Sequence, residues 1–222
     1  MIEERIFCFW TGDNPITPNR IRGLETMREN LGVKIEFLDC HGLDKWILKD
    51  QPLHPAYKYL SCNHKSDYLR CYFMHHFGGG YADIKPYSKN NNWKRCFEYI
   101  NRYEGIEVIG QHDFVGGIAA RELKTRIAAE FIVACGWMIC RPHSSFTSGW
   151  MERVNRMLDD KLQLLRQFPA TEPFGGPKYP IEWGGVCGEI FHRWQYEFLK
   201  NNKLGVRNVL RTGWLGLDIP YR

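Results

Sequence analysis

Two pairs of opposite charge stand close together near the middle of the chain. Asp67 and Arg70 are three residues apart in a segment with helical patterning. Asp83 and Lys85 are two apart, just after Gly78-Gly79-Gly80. Positions i and i+3 share one face of a helix, and positions i and i+2 point the same way along a strand. Either pair taken alone reads as a surface ion pair, which contributes little. Their context favours a site. The glycine run permits an abrupt turn, and the segment leaving it, Tyr81-Ala82-Asp83-Ile84, is a short strand stopped by Pro86. Acid and base are thereby presented together at a strand's C-terminal end, where open α/β sheets bind ligands.

The elements that must position these groups follow from patterning. Arg5 to Trp10 is a short apolar run that reads as a buried strand, closed by the turn formers Thr11-Gly12-Asp13-Asn14-Pro15. Thr17 or Asn19 caps a helix to about Glu29, with Ile21, Leu24 and Met27 on its apolar face. Val33 to Leu38 alternates as a second strand. Residues 40–63 read as irregular, and a strong helix runs from about Lys65 to Phe77. Further on come a helix over Asn92–Tyr99, strands over Glu107–Gly110 and Phe131–Cys140, and a helix over Phe146–Phe168 capped by Ser144 or Ser145. Pro169 to Pro180 reads as a lid or acceptor-side loop. Residues 182–199 look helical in their later part, and the tail to Arg222 reads as loop. The β-α-β opening predicts an α/β fold with one domain over residues 1–222, a central mostly parallel or mixed sheet flanked by helices. That domain is also compatible with being one part of a longer protein. A G-x-G-x-x-G fingerprint is absent, so a dinucleotide fold is not supported.

Composition excludes several classes. The net charge of +5 suits anionic small molecules such as nucleotide diphosphates, but no block of five basic residues occurs, so nucleic acid is not expected as a partner. None of the eight cysteines forms a C-x-x-C pair, so a zinc knuckle is not expected. Cys8, Cys71, Cys135 and Cys140 sit in apolar runs as small hydrophobes. The chain shows neither a signal peptide nor an 18-residue apolar span, which predicts a cytoplasmic protein without a membrane span. His75-His76 suggests metal at first sight, but adjacent helical residues point apart, so the pair reads as packing or surface.

The charged block resembles the donor site of GT-A glycosyltransferases related to yeast initiation-type mannosyltransferases, bacterial capsular polysaccharide synthesis proteins and the large clostridial glucosylating toxins. Their pattern is S-D-x-x-R, then a glycine pair, a tyrosine and D-x-D. Ser66-Asp67, Arg70, Gly79-Gly80, Tyr81 and Asp83 match it here. Trp10-Thr11-Gly12 matches the W-x-G that ends the family's first strand. The resemblance is good over residues 5–87 and looser over 130–200; FMHHFGGGYADIK is most like the capsular-synthesis branch.

What the resemblance implies is transfer of a sugar from a UDP-sugar donor to a saccharide acceptor on a surface glycan or glycoprotein, with retention suggested by the mannosyltransferase and toxin relatives. Trp10 would flank the uracil, with its neighbours Phe9 and Thr11 at the same end of the donor. Asp67 would hold hydroxyls of the sugar or ribose, Arg70 would approach the sugar or phosphates, and Tyr81 the diphosphate or sugar. Asp83 would sit by ribose, sugar and a Mn²⁺ or Mg²⁺ ion. The second acid of D-x-D is Lys85 in this chain. Either Asp83 still holds a metal with waters and phosphate oxygens, or Lys85 replaces the metal's charge at the leaving group. The sequence reading leans to retained, weak metal binding. The readings kept beside transfer are nucleotide-sugar hydrolysis and a nucleotide-sugar-binding module without turnover.

Five further residues are candidates or have a plain structural reading. Asp113 follows a strand and precedes Gly116-Gly117, so it reads as a turn former, or else faces the donor sugar or acceptor as a catalytic group. Trp183, Glu189 and His192 lie in YPIEWGGVCGEIFH, which resembles the capsular-synthesis branch again. Glu189 and His192 read equally as an acceptor-facing pair or a structural one. Trp214 reads as an ordinary packing residue.

Overall fold

The computed structural model describes residues 1–89, 93–113, 116–124 and 131–201, and the backbone of Val206–Val209. Its centre is a six-stranded mixed sheet in the order β2-β1-β3-β5-β4-β6. The strands are β1 (Arg5–Trp10), β2 (Lys34–Asp39), β3 (Gly79–Ala82), β4 (Val108–His112), β5 (Val133–Cys140) and β6 (Val206–Val209). β1 pairs parallel with β2 and β3, β5 runs antiparallel to β3 and β4, and β6 is parallel to β4.

The period-2 alternation of the strands feeds two cores. Ile6, Cys8, Trp137 and Ile139 face one side. They pack there with Leu24 and Met27 of α1 (Pro18–Asn30) and with Trp93, Phe97 and Ile100 of α3 (Trp93–Arg102). Phe7, Phe9, Met138 and Cys140 face the other. That side is covered by Leu69, Tyr72 and Phe73 of α2 (Cys62–His76), by Phe146, Trp150 and Val154 of α4 (Ser145–Gln167), and by Phe191 and Phe198 of α5 (Gly188–Asn201). The result is a sheet with helices on both faces, the α/β architecture that the sequence predicts.

Local chemistry accounts for the helix ends. Thr17, Ser61 and Ser144 are N-caps, accepting from the N–H groups of Arg20, His64 and Thr147. α2 stops because Gly78 takes φ 64 and its N–H returns to the Phe73 carbonyl at 3.0 Å. That left-handed conformation favours glycine. β3 can then leave at once beside β1.

Several expectations are corrected. α2 starts a turn before Lys65, because Ser61 supplies the cap. Ile21 does not join the apolar face of α1; it is 42% exposed. β3 occupies Gly79–Ala82 rather than Tyr81–Ile84, since pairing with β5 ends at Ala82 opposite Trp137. The tail is not all loop: Val206–Val209 adds a strand beside β4. Trp214 lies outside the described residues. Among the described residues no helix is long and apolar enough to cross a membrane.

Candidate active site

At the C-terminal end of β3, five side chains join into one polar chain. Asp67 and Arg70 come from the first half of α2, held against the sheet by Leu69 and Phe73. Asp83 follows β3, its N–H bonded to the Gly136 carbonyl at 3.0 Å. A Cβ on Gly136 would stand 3.0 Å from Asp83 Oδ2, so the glycine is what leaves room for the carboxylate. Arg70 Nη1 donates to the Cys135 carbonyl at 2.6 Å, and Nη2 donates to the Tyr81 hydroxyl at 2.9 Å. That hydroxyl donates to Asp83 Oδ1, also at 2.9 Å. Arg70 Nη2 lies 3.2 Å from Asp67 Oδ1 and 3.5 Å from Asp83 Oδ1. Lys85 Nζ closes the chain 2.9 Å from Asp83 Oδ2. The Arg70 guanidinium also lies over the Tyr81 ring, 4.1 Å from its centroid.

The two acids are shifted in opposite directions. Burial pushes Asp67 up to about 6, against the pull of Arg70 and with help from the charge of Asp83. Burial also acts to raise Asp83, but Lys85 and Arg70, with hydrogen bonds from Lys85 and Tyr81, outweigh it. Asp83 ends below the ordinary carboxylate range. One fixed anion and one acid that titrates near neutrality therefore share a single arginine.

These groups line a cleft of about 430 Å³, within the usual size of a small-ligand site. Asp67, Arg70, Asp83 and Lys85 form one wall. Asp113, Cys135, Trp183 and His192 form much of the other. Asp113 is 7% exposed, so it is a buried wall residue rather than a solvent-facing turn former. His192 accepts the Ala119 N–H at Nδ1, at 3.1 Å, which places its ring proton on Nε2. Nε2 lies 3.4 Å from Asp113 Oδ2 and 3.3 Å from Cys135 Sγ. Burial lowers His192 to about 4, so it faces Asp113 as a neutral donor at neutral pH. Because Nε2 bears the proton, His192 cannot deprotonate Cys135 in this tautomer; a hydrogen bond with Cys187 and burial also hold that thiol protonated.

The other sequence candidates divide. Trp183 is at the cleft's rim, 69% exposed. Tyr81 reaches the site through its hydroxyl while its ring is buried. Phe9 is buried against Phe73 and stacked on Tyr81 with centroids 5.8 Å apart, so it belongs to the core behind the site. Trp10 and Thr11 lie at the same end of the sheet but not on the cleft wall. Trp10 Nε1 donates to the Asn14 carbonyl at 2.8 Å, and Thr11 Oγ1 to the Cys62 carbonyl at 2.6 Å. Glu189 does not pair with His192: it turns outward to Arg193 at 3.3 Å, while His192 turns in. Sequence reasoning missed Cys135, Gly136 and Cys187, whose place depends on β5 and α5 meeting here. It also missed His64, which shares the face of Asp67 three residues on. His64 lies 2.9 Å from the Tyr179 hydroxyl and 3.1 Å from the Trp183 carbonyl. The 169–180 loop is thus docked beside the start of α2, through Ala170 and Pro173 as well.

No protein-family model matches the chain, and no curated protein matches it. Among solved structures it is similar to PaToxG glycosyltransferase, with a TM-score of 0.51 and 11% identity over 90% of this chain and 71% of that one. Mouse xyloside xylosyltransferase 1 in its apo form gives a TM-score of 0.48 at 12% identity, over 96% of this chain and 89% of that one. At such identity the likeness to PaToxG defines architecture alone: the chain has a GT-A-like α/β fold.

Proposed function

We propose that this chain transfers a sugar from a UDP-sugar to a saccharide acceptor, on a surface glycan or a glycoprotein, with retention at the anomeric carbon. The observation that carries the reading is the buried chain Asp67–Arg70–Tyr81–Asp83–Lys85 on a cleft wall, at the ligand-binding edge of a GT-A-like sheet. In the reaction, the bond from the anomeric carbon to the diphosphate breaks, its electron pair going to the phosphate oxygen. The acceptor oxygen bonds to that carbon on the same face, and its proton passes to the departing phosphate. The main task is to stabilise the anionic leaving group. Lys85, whose side chain is 25% exposed, exchanges Asp83 for phosphate, while Arg70 supplies fixed positive charge beneath. Asp67 accepts a donor hydroxyl. Asp113, oriented by His192, holds the acceptor hydroxyl, and the exposed Trp183 offers a ring face for an acceptor sugar.

Mn²⁺ or Mg²⁺ needs several oxygen ligands. The residues here do not fit such an ion. Asp83 Oδ1 is engaged by Tyr81 and Arg70 and Oδ2 by Lys85, and an ammonium stands where a second acid would ligate. We therefore assign the counter-charge to Lys85, and no step is routed through a metal.

UDP release measured over a donor panel, with and without saccharide acceptors, tests transfer. Acceptor-dependent release, undiminished by chelator, is expected. Donor binding without turnover would identify a binding module, and release independent of every acceptor a hydrolase; both would overturn the proposal. Lys85→Asp rebuilds D-x-D and is expected to make turnover require Mn²⁺.

A further inference from the structure

At the far end of α2, away from the cleft, three imidazoles converge. His75 and His76 form the last turn of the helix, and His143 lies in the turn between β5 and α4. The ring centroids are 4.7 Å apart for His75–His76, 5.0 Å for His75–His143 and 5.8 Å for His76–His143. One ring nitrogen from each lies within 4.8 Å of those of the other two. The adjacent pair, which helical spacing predicts to point apart, is the closest of the three, and His143 joins it across the helix end. Its backbone holds it there. His143 adopts φ 50, in the left-handed region, and its N–H donates to the His75 carbonyl at 2.9 Å.

These rings are poorly satisfied by protein. His76 Nδ1 is buried and has no hydrogen-bond partner, and His75 Nδ1 finds only Thr147 Oγ1 at 3.4 Å. A buried nitrogen without a partner is unfavourable, and a cation would satisfy it.

We propose that His75, His76 and His143 bind a Zn²⁺-class divalent ion, which clamps the C-terminal end of α2 to the β5–α4 turn. Three imidazoles with an open fourth position suit borderline transition metals and not the oxygen-seeking Mg²⁺ or Ca²⁺. Tetrahedral Zn–N bonds of about 2.0–2.1 Å put ligand nitrogens about 3.3 Å apart, so the trio must contract. The exposed His143 side chain is free of the core and supplies that movement. Asp67 and His75 are eight residues apart on α2, about 12 Å along the axis, so this centre is separate from the cleft.

The test is titration of chelator-treated protein with Zn²⁺, followed by calorimetry and thermal melting, with Co²⁺ absorption as a reporter of tetrahedral nitrogen ligation. One ion per chain and a saturable rise in melting temperature are expected. His143→Ala, at an exposed position, should fold normally and weaken binding by about 10-fold or more, as loss of a ligand must exceed loss of a supporting contact. His75→Ala should do the same, while His41→Ala, at an exposed histidine elsewhere, should leave the affinity unchanged. Equal affinity in wild type and His143→Ala would overturn the site. Binding of one ion with no rise in melting temperature would overturn the clamp.

Discussion

The two ends of α2 carry polar groups in opposite conditions. Towards its start, Asp67 and Arg70 are buried, charged and engaged by partners from β3 and β5. At its end, burial lowers the pKa of His75 and His76, and His76 Nδ1 is buried without a partner. The difference follows from what each residue type requires on leaving water. An arginine cannot shed its charge, so its burial demands a full set of acceptors. A histidine loses its proton instead and remains an unfilled ligand. The first end is preorganised for a ligand that brings its own charges; the second is complete only with an ion.

Breaking the charged end should have the largest effect. Asp83→Asn keeps the shape but removes the anion that aligns Arg70, Tyr81 and Lys85. It should lower transfer by about 10²–10³-fold, as removal of one electrostatic stabiliser does elsewhere, with the melting temperature changed little. Near-normal turnover in a UDP-release assay would deny Asp83 its role. Lys85→Ala should follow, with about a 10²-fold loss concentrated in kcat, because the leaving group's charge develops in the transition state. At the histidine end, the corresponding change is His143→Ala, which should shrink the Zn²⁺-dependent rise in melting temperature at a given Zn²⁺ concentration without affecting apoprotein stability.

A smaller effect separates the two ends by pH. Asp67 holds its proton up to about 6, so donor affinity should fall as pH drops through that value and the carboxylate is neutralised. In Asp67→Asn this acid limb should vanish from the kcat/KM profile; its persistence would assign the limb to another group. The same shift has a consequence for stability. The folded pKa lies above the unfolded one, so the native state binds the proton more tightly and stability declines as pH rises from about 4 to 6. Ionised Asp67 therefore opposes folding at neutral pH, by about 3 kcal/mol at most. Asp67→Asn should raise the melting temperature at pH 8 while impairing the proposed transfer, a trade between stability and function. A lowered melting temperature would show that the pairing with Arg70 outweighs burial.

Much of the cleft's charged wall was legible because its determinants are local. Helical spacing places Asp67 beside Arg70, and a glycine turn delivers Asp83 and Lys85 at a strand end. The opposite wall was not. Asp113 reads as a turn former until β4 is paired with β5, which buries it opposite His192. Glu189 and His192 share helical spacing, yet one pairs with Arg193 at the surface and the other faces the cleft. Phe9 and Trp10 show the same limit. Alternation in β1 settles which face each takes, while the neighbouring elements decide whether that face is core or ligand space.

The sequence by itself determined the strand–helix order from β1 to α5, offered Thr17 and Ser144 among its candidate caps, and marked the glycine stop at Gly78 and the meeting of acids and bases near β3. All of these arise from backbone preference and short-range spacing. The tertiary structure alone decided that Cys135, Gly136 and His192 complete the cleft, that Val206–Val209 joins the sheet, and that His143 meets His75 and His76. Such contacts join residues far apart in the chain, and only packing across the sheet brings them together.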